Sequence, residues 1–136
     1  MAQHERPLSP FMHYRWQYTN TLSILHRLSG VFMSVGIALL VYWLVAAASG
    51  RDSYDAALNC FASPLTKAAL FAWVLAFFYH LLNGVRHLGW DLGYGFEKAV
   101  ARKTGTLVFI GAIVLTLLTW WCITLRITAS MSGVVL

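Results

Sequence analysis

Three long apolar stretches dominate the pattern of hydrophobic and polar positions along the chain. The first carries no charge between Arg27 and Arg51, the second covers residues 65–82, and the third covers residues 104–125. A helix needs about 20 apolar residues to cross the hydrocarbon core of a bilayer. In lipid such a segment must be helical, because an unpaired backbone amide or carbonyl there is too costly. The pattern therefore predicts an all-α membrane protein with three transmembrane helices.

The polar segments between these stretches predict the orientation. Seven Lys and Arg residues fall on the side of the N-terminus and of the link between the second and third helices, and three fall on the opposite side. Because cytoplasmic segments carry the excess of Lys and Arg, we expect a cytoplasmic N-terminus and an external C-terminus. The predicted segments are a cytoplasmic segment over residues 1–27, transmembrane helices over 28–48, 64–88 and 104–125, external segments over 49–63 and 126–136, and a cytoplasmic loop over 89–103.

Composition argues against a soluble fold. Hydrophobic residues make up 59% of the chain and charged residues 11%, against roughly 25% charged residues in a typical soluble domain. The net charge is +5, but the basic residues stand singly at the ends of apolar stretches, where they anchor helices. The expected counter-charge is therefore the lipid bilayer, and no nucleic acid is expected as a partner. The N-terminal stretch does not resemble a mitochondrial transit peptide, which favours the bacterial cytoplasmic membrane over the mitochondrial inner membrane.

The sequence contains two cysteines, Cys60 and Cys122. Their spacing fits neither a zinc site nor the four thiolates of an iron–sulfur cluster. Both fall on the external side in the predicted orientation, so a disulfide between them stays open beside the alternative of two packed thiols.

His80 is the one histidine inside an apolar stretch, about 9 Å along the helix axis from Arg86. Ionisable residues at membrane depth are functional candidates by default. Two interpretations fit this position: a metal or haem iron takes the imidazole lone pair, or the ring makes an interhelical hydrogen bond to a Ser, Thr or Tyr. Gly84 lies one turn later on the same face and leaves room for a flat macrocycle, although close helix packing explains it as well.

Two further sets of polar residues lie near the cytoplasmic ends of these helices. Arg86 and His87 are too far from His80 to bind the same iron but could face haem propionates, or they could form a solvated helix end. Ser23 and Arg27 share one face of the first helix and could bind a quinone carbonyl, with His26 beside them. For Arg27 and His26 the alternative is a basic helix end that only fixes topology.

The motifs SILHRLSG (23–30) and H-x3-G-x-R-H-x3-D (80–91), with RPLSP (6–10) near the N-terminus, resemble the cytochrome b556 subunit of succinate dehydrogenase. The resemblance implies that His80 is an axial ligand of haem b and that Ser23 and Arg27 help to form a ubiquinone site. It further implies that His26, Arg27 and His87 lie near the haem propionates. Asp91 matches the family pattern without an assigned role.

The implied protein is one part of a heteromeric helical bundle that binds haem b. Because this chain offers one histidine at depth, the second axial ligand is expected from another membrane-anchor subunit. A flavoprotein subunit and an iron–sulfur subunit are expected to bring the electrons, and no independent activity is expected. Two alternatives stay open: a fumarate reductase anchor, with menaquinone as a possible carrier, and a haem-free structural anchor or small transporter.

Overall fold

A computed structural model of the chain describes residues 15–131 and 133, and within this part the fold is entirely helical. The helices are α1 (Tyr18–Ala48), α2 (Arg51–Phe61), α3 (Pro64–Asp91) and α4 (Lys98–Met131). Three of them, α1, α3 and α4, are long and apolar enough to cross a membrane. The predicted all-α class with three spans is therefore confirmed. The RPLSP stretch and the end of the C-terminal tail lie outside the described residues.

The helices extend well beyond the apolar stretches that predict them. Helix α1 begins at Tyr18 and so includes Ser23, His26 and Arg27, and α3 continues to Asp91. No proline interrupts either polar extension, so the backbone hydrogen bonds continue into the interface. The predicted bounds thus mark the apolar core of each span, whereas the candidate site residues also lie on regular helix.

Helix α2 occupies most of the segment between α1 and α3, where the sequence pattern predicts no helix. Gly50 has φ +112° and allows the sharp change of direction between α1 and α2. The ring of Phe61 lies 6.4 Å from that of Tyr42, and the ring of Tyr54 lies 6.2 Å from that of Trp43. These contacts hold an 11-residue amphipathic helix against the end of α1.

Helix α3 is central and packs against both α1 and α4. Its N-terminus is capped by Ser63, whose hydroxyl accepts a hydrogen bond from the Thr66 amide at 3.1 Å, and Pro64 occupies the first turn. Deeper in the bundle the Tyr79 hydroxyl donates to the Leu22 carbonyl at 2.8 Å and ties α3 to α1. The start of α1 and the end of α3 therefore lie at the same end of the bundle.

Cys60 and Cys122 are free thiols, and both are exposed on the surface of the chain. They neither pair with each other nor pack in the interior.

Candidate functional site

The imidazole of His80 is held by the backbone and one side chain of α1. Its Nδ1 lies 3.1 Å from the His26 carbonyl oxygen and 3.0 Å from the Ser29 hydroxyl. A carbonyl oxygen can only accept a hydrogen bond, so Nδ1 carries the ring proton and donates it. Nε2 therefore carries the lone pair and has no hydrogen-bond partner among the described residues.

Two glycines shape the space around this ring. A Cβ atom at Gly30 would lie 3.0 Å from Cε1 of His80, so the imidazole packs directly on the backbone of α1. A Cβ atom at Gly84 would meet none of the described residues within 4 Å, which leaves open space one turn along α3 from His80. A haem iron requires an imidazole lone pair held in one orientation and room for the macrocycle. The residues present fit both requirements.

His26 lies between the two histidines of α3. Its ring centroid is 4.0 Å from that of His80 and 5.0 Å from that of His87, and the interplanar angles are 17° and 15°. His87 is held through Nδ1, which lies 2.7 Å from the Asn83 carbonyl oxygen. The Nδ1 atom of His26 is buried and has no partner within the described part of the chain. The structure thus joins the two predicted motifs in one stack of three imidazoles.

Arg86 does not form the predicted basic pair with His87. Its guanidinium donates to the Thr104 hydroxyl at 3.1 Å, to the Ala101 carbonyl at 3.0 Å and to the Asn83 side-chain oxygen at 3.3 Å. The same group lies 4.0 Å from the centroid of the Trp90 ring. These contacts satisfy a buried cation at the junction of α3 and α4, so Arg86 has a structural role that fits neither alternative left open for it, the propionate contact or the solvated helix end.

Ser23 and Arg27 lie one helical turn apart on α1. Ser23 is half-buried and Arg27 is exposed, and neither side chain makes a hydrogen bond or ion pair within the described residues. The donors of Arg27 therefore remain available at the same end of α1 as the imidazole stack. Asp91 ends α3 and is exposed.

Comparison with known proteins gives the same assignment as the two motifs. The sequence pattern of the succinate dehydrogenase/fumarate reductase transmembrane subunit family matches residues 2–119. The chain belongs to this family. It is 39% identical over 117 residues to the succinate dehydrogenase cytochrome b556 subunit of Rickettsia conorii, covering 85% of this chain and 91% of the relative.

Further relatives extend the comparison to other organisms. The cytochrome b556 subunit of Paracoccus denitrificans is 38% identical over 115 residues, covering 84% of this chain and 88% of that protein. The mitochondrial cytochrome b560 subunit of Homo sapiens is 35% identical over 108 residues, covering 77% of this chain and 64% of that protein. The chain is thus a cytochrome b membrane-anchor subunit of succinate dehydrogenase, as its motifs predict, and a multi-pass membrane protein.

Two residues of this anchor subunit stand out in the structure although the sequence assigns them no role. Ser29 bonds His80, and its position inside the SILHRLSG motif, three residues after His26, is the signal that could have identified it. Asn83 is fully buried between His80 and His87, accepts from Arg86, and has no partner for its Nδ2 among the described residues.

Proposed function

We propose that His80 is an axial ligand of haem b and that a histidine of a second membrane-anchor subunit supplies the other ligand. The observation that carries this proposal is the state of the His80 ring: Nδ1 donates to α1, and Nε2 keeps its lone pair. Metal-binding histidines commonly donate their second ring nitrogen to a carbonyl in this way. The cytochrome b556 relatives are named for a haem b protein, which agrees with the assignment.

The other two histidines of the stack, together with Arg27, act on the haem carboxylates. His26, Arg27 and His87 lie on the cytoplasmic side of His80 and bind the propionates by charge and hydrogen bonding. The buried Nδ1 of His26, which has no partner among the described residues, supports this role. When bound, the haem supplies a one-electron carrier at the membrane edge.

The same end of α1 forms part of a ubiquinone site. The hydroxyl of Ser23 and the guanidinium of Arg27 hydrogen-bond one quinone carbonyl and orient the ring for reduction. Their spacing of one helical turn and the free donors of Arg27 support this arrangement.

The electrons reach this site from other chains. A flavoprotein subunit and an iron–sulfur subunit dock at the cytoplasmic face. This is the face that carries the N-terminus, the link between the second and third spans, and the seven basic residues of these two segments. We place the protein in a bacterial cytoplasmic membrane, with the C-terminus in the periplasm. The membrane segments follow the predicted bounds 28–48, 64–88 and 104–125, and α2 lies on the external side.

A reduced-minus-oxidised optical spectrum of the purified complex tests the haem assignment. We expect a b-type band whose intensity corresponds to one haem per copy of this chain. A complex that is fully assembled and reduces quinone but has no such band would support the haem-free anchor instead.

A further inference from the structure

Ser29 is a buried hydroxyl at the contact between α1 and the His80 ring. The residue is only 7% exposed and lies in α1, two residues further into the apolar part than Arg27. Its oxygen lies 2.7 Å from the His26 carbonyl and 3.0 Å from Nδ1 of His80. A serine needs only the first of these bonds to satisfy its hydroxyl within a helix. The second bond therefore calls for its own explanation.

The chemistry of the Ser29 hydroxyl, the His26 carbonyl and His80 Nδ1 determines which atom donates in each hydrogen bond. The hydroxyl proton of Ser29 goes to the His26 carbonyl, because that oxygen can only accept. The hydroxyl oxygen of Ser29 is then left to accept from Nδ1–H of His80. Nδ1–H is consequently shared between two acceptors, the Ser29 oxygen and the His26 carbonyl oxygen.

We infer that Ser29 is a positioning residue that fixes the orientation of the His80 imidazole and lowers the midpoint potential of the haem bound to it. This inference rests on the proposed function of His80. A second acceptor on Nδ1–H gives the imidazole more anionic character, so that Nε2 becomes a stronger electron donor. A stronger donor favours ferric over ferrous iron, which is one of the ways in which a protein sets haem potential.

Packing around the His80 ring and the hydrogen bonds of its Nδ1 together restrict the orientation of the ring. His80 rests on Gly30 on one side and stacks against His26 at 4.0 Å between centroids. These contacts limit tilting of the ring, but rotation within its own plane is limited by what binds Nδ1. Two acceptors separated along α1 define that rotation more narrowly than one carbonyl does.

The test compares Ser29→Ala with Ser29→Thr in the assembled complex. Ser29→Ala removes the second acceptor, and we expect a more positive haem midpoint potential and a changed electron paramagnetic resonance spectrum of the oxidised haem. Ser29→Thr keeps a hydroxyl that can bond the same carbonyl, so both properties should return towards those of the wild type. Ser34→Ala is the matched control, because within the described part of the chain the Ser34 hydroxyl bonds only the Gly30 carbonyl of its own helix, at 3.0 Å.

Each outcome decides the inference. A shift in Ser29→Ala that Ser29→Thr reverses and Ser34→Ala lacks supports it, whereas a wild-type potential and spectrum in Ser29→Ala overturn it. If Ser29→Ala fails to assemble, Ser29→Cys decides in its place: this variant keeps the size of the side chain with a weaker acceptor, and an unshifted potential overturns the inference. His80→Leu, measured in parallel, distinguishes failure of the inference about Ser29 from failure of the proposed function. An unchanged spectrum in His80→Leu contradicts the assignment of His80 as a haem ligand.

Discussion

The polar side chains that lie within the long helices are mostly held by specific partners. His80 donates through Nδ1 to α1, and Arg86 gives all three of its donor groups to Asn83, Thr104 and Ala101. Burial of such groups is tolerated because their hydrogen bonds are made inside the protein. Arg27 differs, since its guanidinium is exposed and has no partner in the described residues. A cation left free at the edge of the membrane is available to a ligand.

Arg27→Ala should therefore impair quinone reduction while leaving assembly intact. Loss of one charged hydrogen bond to a quinone carbonyl costs about 1.5–3 kcal/mol, or roughly 10- to 100-fold in kcat/KM for quinone. Succinate oxidation with an artificial soluble acceptor measures the same complex without the quinone site and should be retained. Arg102→Ala removes another exposed arginine from the same end of the bundle and serves as the control. Equal quinone kinetics in both variants would remove Arg27 from the site.

Arg86→Met should instead lower stability. The substitution leaves the buried side-chain oxygen of Asn83 without its donor and removes one hydrogen bond each from the Thr104 hydroxyl and the Ala101 carbonyl, and we expect the complex to lose about 2–4 kcal/mol. Thermal unfolding of the purified complex measures this loss. Arg102→Met, at an exposed position on α4, should change the unfolding temperature little. If the two variants unfold alike, the contacts of Arg86 do not stabilise the junction of α3 and α4.

The sequence predicts some of these residues and misses others for a physical reason. His80 is predictable because an imidazole in an apolar stretch needs a partner, and Ser23 and Arg27 are predictable because they share a helix face. The contacts of Ser29 and Arg86 are different, since each depends on how two helices meet. Arg86 and His87 are neighbours in the sequence, yet one packs on α4 and the other stacks on α1.

At the scale of elements, the contact between α1 and α3 depends on a glycine opposite a tryptophan. The indole of Trp73 lies against Gly36 so closely that a Cβ atom there would overlap the ring, and its Nε1 donates to the Met33 carbonyl at 3.4 Å.

The three spans could be predicted from hydropathy alone. Helix α2 could not, because it is short and is held by aromatic contacts with α1 rather than by its own composition.

Gly36→Ala should separate α1 from α3 at this point. The added methyl group displaces the Trp73 ring, and overpacking of this kind costs about 1–3 kcal/mol. Gly89→Ala is the matched control, because a Cβ atom there meets no atom of residues 15–131 within 4 Å. We expect a lower unfolding temperature for Gly36→Ala and little change for Gly89→Ala. A Gly36→Ala complex as stable as the wild type would show that the contact tolerates expansion.

At the scale of the whole molecule, the chain leaves most of its apolar surface uncovered. Large hydrophobic side chains are exposed along α1, α3 and α4, and the buried cluster of the described residues is small, formed by Leu22, Tyr79, Val108 and Ala112. Lipid and other membrane subunits are the surroundings that such a surface requires. The open face beside Gly84 and the free Nε2 of His80 belong to this surface, so we expect the proposed haem site to be completed from outside the chain.

The orientation in the membrane follows from the distribution of charge. With seven basic residues on one side and three on the other, we expect a reporter fused after Leu136 to be active only in its external form. A reporter inserted in the loop over residues 89–103 should be active only in its cytoplasmic form. The opposite pair of results would place the stack of imidazoles, and with it the quinone site, at the wrong face for soluble subunits in the cytoplasm.

Electron paramagnetic resonance of the oxidised haem in His80→Leu tests the central claim most directly, because the spectrum reports the axial ligands rather than haem content. We predict that the low-spin signal of the wild-type complex is lost or displaced in His80→Leu. The same signal should persist in His87→Leu, which changes a histidine of the stack without changing the ligand. A porphyrin can stay trapped by packing and by its propionates, so retention of haem alone decides nothing. A His80→Leu complex with the wild-type spectrum would contradict the assignment of His80 as a haem ligand.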